Sequence, residues 1–146
     1  MIRSITLSSL LLAASATAQF SFNTGSPELD ADLNSINVSA KIDPTRFNAD
    51  LSVEFSVDGA KIEGMIVIGM EPAEVYFALQ IAQATSKPID DVLTAYRTHK
   101  ADGWGKIAQE LGIKPGSPEF HALKASASGK KDKTKGNSGN AGGKNK

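Results

Sequence analysis

The chain contains no cysteine. That excludes disulfide staples, thiolate metal sites and a lipid-acceptor cysteine at the start of a mature protein. Histidine is nearly as scarce, with His99 and His121 alone. A zinc centre needs three or four ligands, and neither histidine has a second ligand at a useful spacing. His99 reads as a helix-end residue and His121 as a partly packed one, so neither a metal nor a cofactor is expected. No G-x-S-x-G and no serine–histidine pattern is present. Asp90 and Asp91 are adjacent, so on a helix they point in different directions and form no acid pair. With no catalytic constellation in view, the expectation is a protein that is not an enzyme.

Long apolar runs are also missing. The longest, Ile5 to Ala14, is about 10 residues where a membrane span needs roughly 20. Its setting gives it another meaning. Arg3 precedes it and Ala16-Thr17-Ala18 follows as a small-residue A-x-A site. These are the three parts of a secretory signal peptide, residues 1–18, with cleavage between Ala18 and Gln19. Export without disulfides fits a bacterial periplasmic or extracellular protein better than a small eukaryotic secreted domain. No transmembrane segment is expected after cleavage.

The formal charge balance is zero across 146 residues, and it hides an asymmetry. Between Gln19 and Leu123 stand eight Lys and Arg against fifteen Asp and Glu; from Lys124 to Lys146 stand seven lysines against Asp132 alone. An acidic body therefore carries a basic tail. The tail, residues 125–146, is rich in Lys, Gly, Ser and Asn, with nothing apolar larger than alanine. Such a low-complexity segment buries too little to offset ordering entropy and is expected to be disordered.

Between signal and tail, residues 19–124 carry a repeated start signal. Proline follows Ser26, Asp43, Glu71, Lys87 and Ser117, and each time a segment with helical spacing follows. Proline suits a first helical position, where its missing N–H has no partner to lose. Ser26, Asp43 and Ser117 can cap the free amides of a first turn. Glu71 followed by Glu74 has the spacing of a reciprocal cap. Apolar stripes run through Leu29, Leu33 and Ile36, then Val75 and Leu79, then Val92 and Tyr96, then Trp104, Ile107 and Leu111. The spacing predicts an all-α protein, a compact bundle of about five to six short helices.

Residues 44–68 are ambiguous. Phe47, Ala49, Leu51, Val53, Phe55 and Val57 alternate with polar residues, and Asp58-Gly59 sits where a hairpin turn would. The same stretch places Phe47, Leu51 and Phe55 on one helical face after an Asp-Pro cap. Either a β-hairpin or helices would satisfy the pattern.

The segment AEVYFALQIAQATSKPIDDVLTAYRTHKADGWGKIAQELGIKPGSPEFHALK, preceded more weakly by ELDADLNSINVSAKID, covers most of the chain before the tail. It resembles a family of small, uncharacterised secreted bacterial helical proteins, with a G-W-G-x-I-A-x-E-L-G-I-K-P-G-S motif followed by E-F-H-A-L-K. The resemblance implies a helical protein, tips residues 44–68 towards helix, and supplies no chemistry.

Three features carry the functional reading. Trp104, between two glycines, is expected to anchor the core, since flanking glycines let the backbone pass close to a neighbour. IAQELGI resembles the first helix and turn of a helix-turn-helix, with Ile107 to Leu111 as support and Pro118 to Lys124 as recognition helix. That helix offers Glu119, Phe120 and His121 rather than base-reading side chains, so DNA is not the expected partner and nucleic-acid binding is the alternative function. The clustered lysines Lys130, Lys131, Lys133 and Lys135 suit an anionic envelope surface. The expectation is an exported, non-catalytic binding or envelope-associated module with a basic tail.

Overall fold

A computed structural model describes residues 20–137. The described residues form seven α-helices and no strands: α1 (Pro27–Ile42), α2 (Pro44–Phe55), α3 (Gly59–Val67), α4 (Pro72–Thr85), α5 (Ile89–His99), α6 (Trp104–Glu110) and α7 (Pro118–Asn137). One turn of 3-10 helix, Lys100–Asp102, joins α5 to α6. The class is all-α as expected, with one or two more helices than the spacing suggested.

The start signals act as their chemistry requires. Ser26 Oγ accepts from the Leu29 amide, Asp43 Oδ1 from the Arg46 amide at 3.1 Å, and Ser117 Oγ from the Phe120 amide at 3.2 Å. Glu71 and Glu74 close a full capping box at the head of α4. Pro27, Pro44, Pro72 and Pro118 open their helices, whereas Pro88 sits one residue ahead of α5.

Residues 44–68 are helical, and the hairpin alternative is wrong. In α2, Phe47 and Leu51 are buried and Phe55 packs partly against the core, the i, i+4, i+8 face of a helix. Val53, which an alternating strand would bury with its neighbours, is 83% exposed. Asp58-Gly59 makes no hairpin turn. Asp58 Oδ1 accepts from the Ala60 amide at 2.9 Å and caps α3. Ser56, at φ 53°, turns the chain between the two helices in the left-handed conformation.

The other correction concerns the tail boundary. Helix does not stop near Lys124: α7 runs on to Asn137, and Ala127 is fully buried. Residues 125–137 therefore continue the helix, with Ala127 buried and Lys130 and Lys131 paired to carboxylates of α2 and α1. The remainder of the expected tail, 138–146, lies outside the described residues, as does the expected signal peptide, 1–18.

α4 is the central element, and every residue from Ala73 to Leu79 is buried. It packs against α1, α2, α3, α5 and α7. The lead-in, residues 20–26, is pinned to the body by several hydrogen bonds. The Asn34 side chain bonds both the amide and the carbonyl of Phe20. Phe22 is fully buried, its carbonyl accepts from the Trp104 amide at 2.8 Å, and the Asn23 carbonyl accepts from the Gly105 amide at 2.9 Å. That close passage explains the G-W-G motif. A Cβ at Gly103 would lie 2.4 Å from Asn23 Cβ, and one at Gly105 would lie 2.9 Å from the Thr24 carbonyl oxygen.

Candidate functional site

Two polar arrangements stand out, one inside the body and one on its surface. Inside, Glu74 is 3% exposed at the head of α4. Its Oε1 accepts from the Trp104 indole at 3.0 Å; its Oε2 accepts from the Glu71 amide at 2.9 Å and the Tyr96 hydroxyl at 3.3 Å. The carboxylate is thus saturated with donors and also sits at the positive end of the α4 dipole, which together offset its burial. Burial, above all, raises the Tyr96 phenol above its ordinary range. Trp104 is 2% exposed, with ring centroids 5.4 Å from those of Phe77 and Tyr96. This cluster ties α4, α5 and α6 together.

On the surface, α7 lies along α1 with three of its five lysines turned to carboxylates. Lys124 meets Glu28 at 2.7 Å and Lys131 meets Asp32 at 2.6 Å. The contacts ascend in number on both helices, so α1 and α7 run in the same direction. Glu28 and Asp32 are one turn apart on the same face of α1, which is why both reach α7. Lys130 is buried: its ammonium is 2.7 Å from Glu54 and 5.5 and 5.8 Å from the ring centroids of Phe47 and Tyr76. A cation over two aromatic faces with a carboxylate beside it is a favourable socket for an ammonium group. Burial first, and then the Glu54 charge, pushes the Tyr76 phenol well above its ordinary value.

The pairing leaves its mark on titration. The hydrogen bond from Lys124 holds the Glu28 carboxyl below its ordinary value, and the hydrogen bond to Asp32 raises the Lys131 ammonium. Lys133 and Lys135 are exposed. Each borders an open groove beside α1. One, of about 470 Å³, is lined by Phe47, Arg46, Glu54 and Lys133; the other, of about 620 Å³, by Phe20, Val38, Lys41 and Lys135.

The four expected surface lysines are therefore divided by the fold. Lys130 and Lys131 face inward to carboxylates, and Lys133 and Lys135 face outward. The partners Asp32 and Glu54, and Glu28 opposite Lys124, escaped sequence reasoning, although the i, i+4 spacing of Glu28 and Asp32 was visible. Glu74 was legible as a cap but not as the acceptor at the centre of the core.

The remaining candidates are scattered. His99 Nδ1 lies 3.1 Å from Asp102 Oδ2 and its Nε2 lies 3.5 Å from Glu110 Oε1. No group of three or more His, Asp or Glu side chains that could hold a metal occurs among the described residues. Asp90 pairs with Lys61, and Asp91 borders the shallow surface beside His99. Of the helix-turn-helix candidates, Glu119 and His121 are exposed on the first turn of α7 while Phe120 packs against the core. Ala18 and Gln19 lie outside the described residues. No helix among the described residues is long and apolar enough to cross a membrane. No family model, no curated protein and no solved structure matches this chain.

Proposed function

We propose that the protein is an exported, non-catalytic binding module that engages an anionic envelope surface through its lysine-rich C-terminal segment. The observation that carries this reading is the segregation of charge. Seven lysines fall between Lys124 and Lys146, behind a body with nearly twice as many acidic as basic side chains. Clustered lysines at one end of an otherwise acidic molecule attract anionic lipid headgroups and orient the body away from them. Of the five described lysines in that set, Lys133 and Lys135 are exposed. The A-x-A site at Ala16 to Ala18 supports export, which would bring the protein to the envelope.

Two measurements test it. N-terminal sequencing of the protein recovered outside the cytoplasm should begin at Gln19; a chain retained intact in the cytoplasm would sink the reading. The mature protein should co-sediment with phosphatidylglycerol vesicles at low salt, and release steeply as salt rises. The variant Lys133→Gln, Lys135→Gln, Lys144→Gln, Lys146→Gln should lose most of that binding. Duplex DNA retained by this variant would instead favour the α6–α7 unit as a nucleic-acid reader.

A further inference from the structure

We propose that the distal half of α7, residues 128–137, is an electrostatic latch: carboxylates of α1 and α2 hold its lysines, and an anionic surface binds by taking those lysines over. The inference rests on the tether reading above and adds its regulation. Basic residues that serve an outer surface are here partly occupied within the molecule.

The division within α7 is sharp. Up to Ala127 the helix is held by apolar burial: Leu123 is 2% exposed, Ala127 is fully buried and Phe120 packs against the core. Beyond Ala127 no apolar side chain remains in α7. Lys130 on Glu54, Phe47 and Tyr76, and Lys131 on Asp32, fasten this part to the body. Charge pairing and cation–π contact replace hydrophobic burial in this half.

The distal half is also a poor helix on its own. Gly129 and Gly136 lie within it, and a Cβ at either would meet nothing within 4 Å. Neither glycine is required by a close approach, so each weakens the helix with no packing return. Local stability of such a segment follows from the few contacts it makes, and here those contacts are ionic. An ionic attachment yields to competing ions, and a phosphate-bearing surface offers the same chemistry as Asp32 and Glu54 at much higher density. Release would add Lys130 and Lys131 to Lys133 and Lys135 in one short segment. It would also move the repelling carboxylates of the body away from the headgroups.

The test uses the full mature chain in three forms. The latch-neutral variant is Asp32→Asn, Glu54→Gln. A charge control, Glu63→Gln, Asp91→Asn, removes the same number of charges at exposed positions on α3 and α5. Hydrogen exchange is read from about 10 mM to about 1 M salt, over which the Debye length falls from about 30 Å to about 3 Å. Wild-type amides at 128–137 should lose protection as salt rises, while α4 amides hold. The latch-neutral variant should exchange fast in this segment at every salt concentration. Its affinity for phosphatidylglycerol vesicles should exceed that of the charge control by roughly tenfold, a differential of about 1.4 kcal/mol. Salt-independent protection at 128–137 would overturn the latch while leaving the tether standing. Equal vesicle affinity for the two variants would overturn the competition. Absence of vesicle binding by all three forms would sink the tether, and the competition with it, even if the exchange pattern held.

Discussion

The indole Nε1 of Trp104 donates to Oε1 of Glu74 at 3.0 Å, so the first residue of α6 satisfies a carboxylate in the first turn of α4. Both residues are buried. The bond joins the G-W-G segment, which receives the N-terminal lead-in, to the helix at the centre of the bundle. It makes Trp104 both a filler of volume and a donor to a buried charge.

Those two roles separate by substitution. Trp104→Ala should cost about 3–5 kcal/mol through the cavity it leaves. Trp104→Phe keeps most of the ring and removes the donor, and should still cost about 1–3 kcal/mol because Glu74 loses a partner. Chemical denaturation reads both, and a Trp104→Phe protein with an unshifted midpoint would show that the bond contributes nothing.

Two glycines should respond to alanine with opposite signs. At Gly105 the new methyl would meet backbone oxygens of Thr24 and Asn23 at 2.9 and 3.0 Å. The lead-in must then shift, at about 1–3 kcal/mol. At Gly129 the methyl meets nothing, so Gly129→Ala should stabilise by about 0.5–1 kcal/mol through helix propensity alone. Thermal melts of the pair decide the matter; a stable Gly105→Ala would contradict the tight passage of residues 22–24 beside α6.

The helical assignment of residues 44–55 rests on a cap that can be removed. Asp43→Ala deletes the acceptor for the Arg46 amide and should cost about 0.5–2 kcal/mol. Val53→Thr, at an exposed position, should change stability by less than about 0.5 kcal/mol. Val53→Thr costing more than Asp43→Ala would speak for buried strand alternation after all.

Acid should weaken the protein partly through Glu71. Hydrogen bonds from Lys41 and then Asn37 hold its carboxyl below the ordinary value of 4.5. A carboxyl lowered in the folded state contributes stability above its unfolded value, and that contribution is lost as pH falls through the folded one. Glu71→Gln should therefore flatten the acid limb of stability below about pH 4.5 and leave the pH dependence near neutrality unchanged. Unfolding midpoints taken from neutral to acid pH test this; an acid limb as steep in the variant as in wild type would remove Glu71 from it. Asn37 belongs to the same group, bonding Glu71 Oε2 at 2.8 Å from a buried position on α1.

Much of this was legible in the sequence because it is local. The proline starts, their capping side chains and the stripes Leu29–Leu33–Ile36 and Val75–Leu79 act within a few residues of one another, so spacing alone placed them. The ambiguity at 44–68 had a physical source: Phe47, Leu51 and Phe55 share a face under both periods, since every fourth residue is also every second. Only burial separates the two, and burial depends on what packs opposite. Val53 is exposed because α2 sets its face against α4 and α3 rather than pairing edge to edge.

The tail shows the limit from the other side. Composition alone makes Ala125 to Asn137 too polar and too glycine-rich to order itself, and that judgement of its intrinsic preference stands. Its conformation is decided by Glu54 and Asp32, which lie 76 and 99 residues away from the lysines Lys130 and Lys131 that meet them. The same holds for Glu74, whose role as a cap follows from four adjacent letters but whose indole and phenol donors come from α6 and α5. Local sequence determined where helices begin and which way their apolar faces point, because caps and periodicity act over one or two turns. Tertiary structure decided which charges meet, because that depends on helices far apart in the chain being laid side by side.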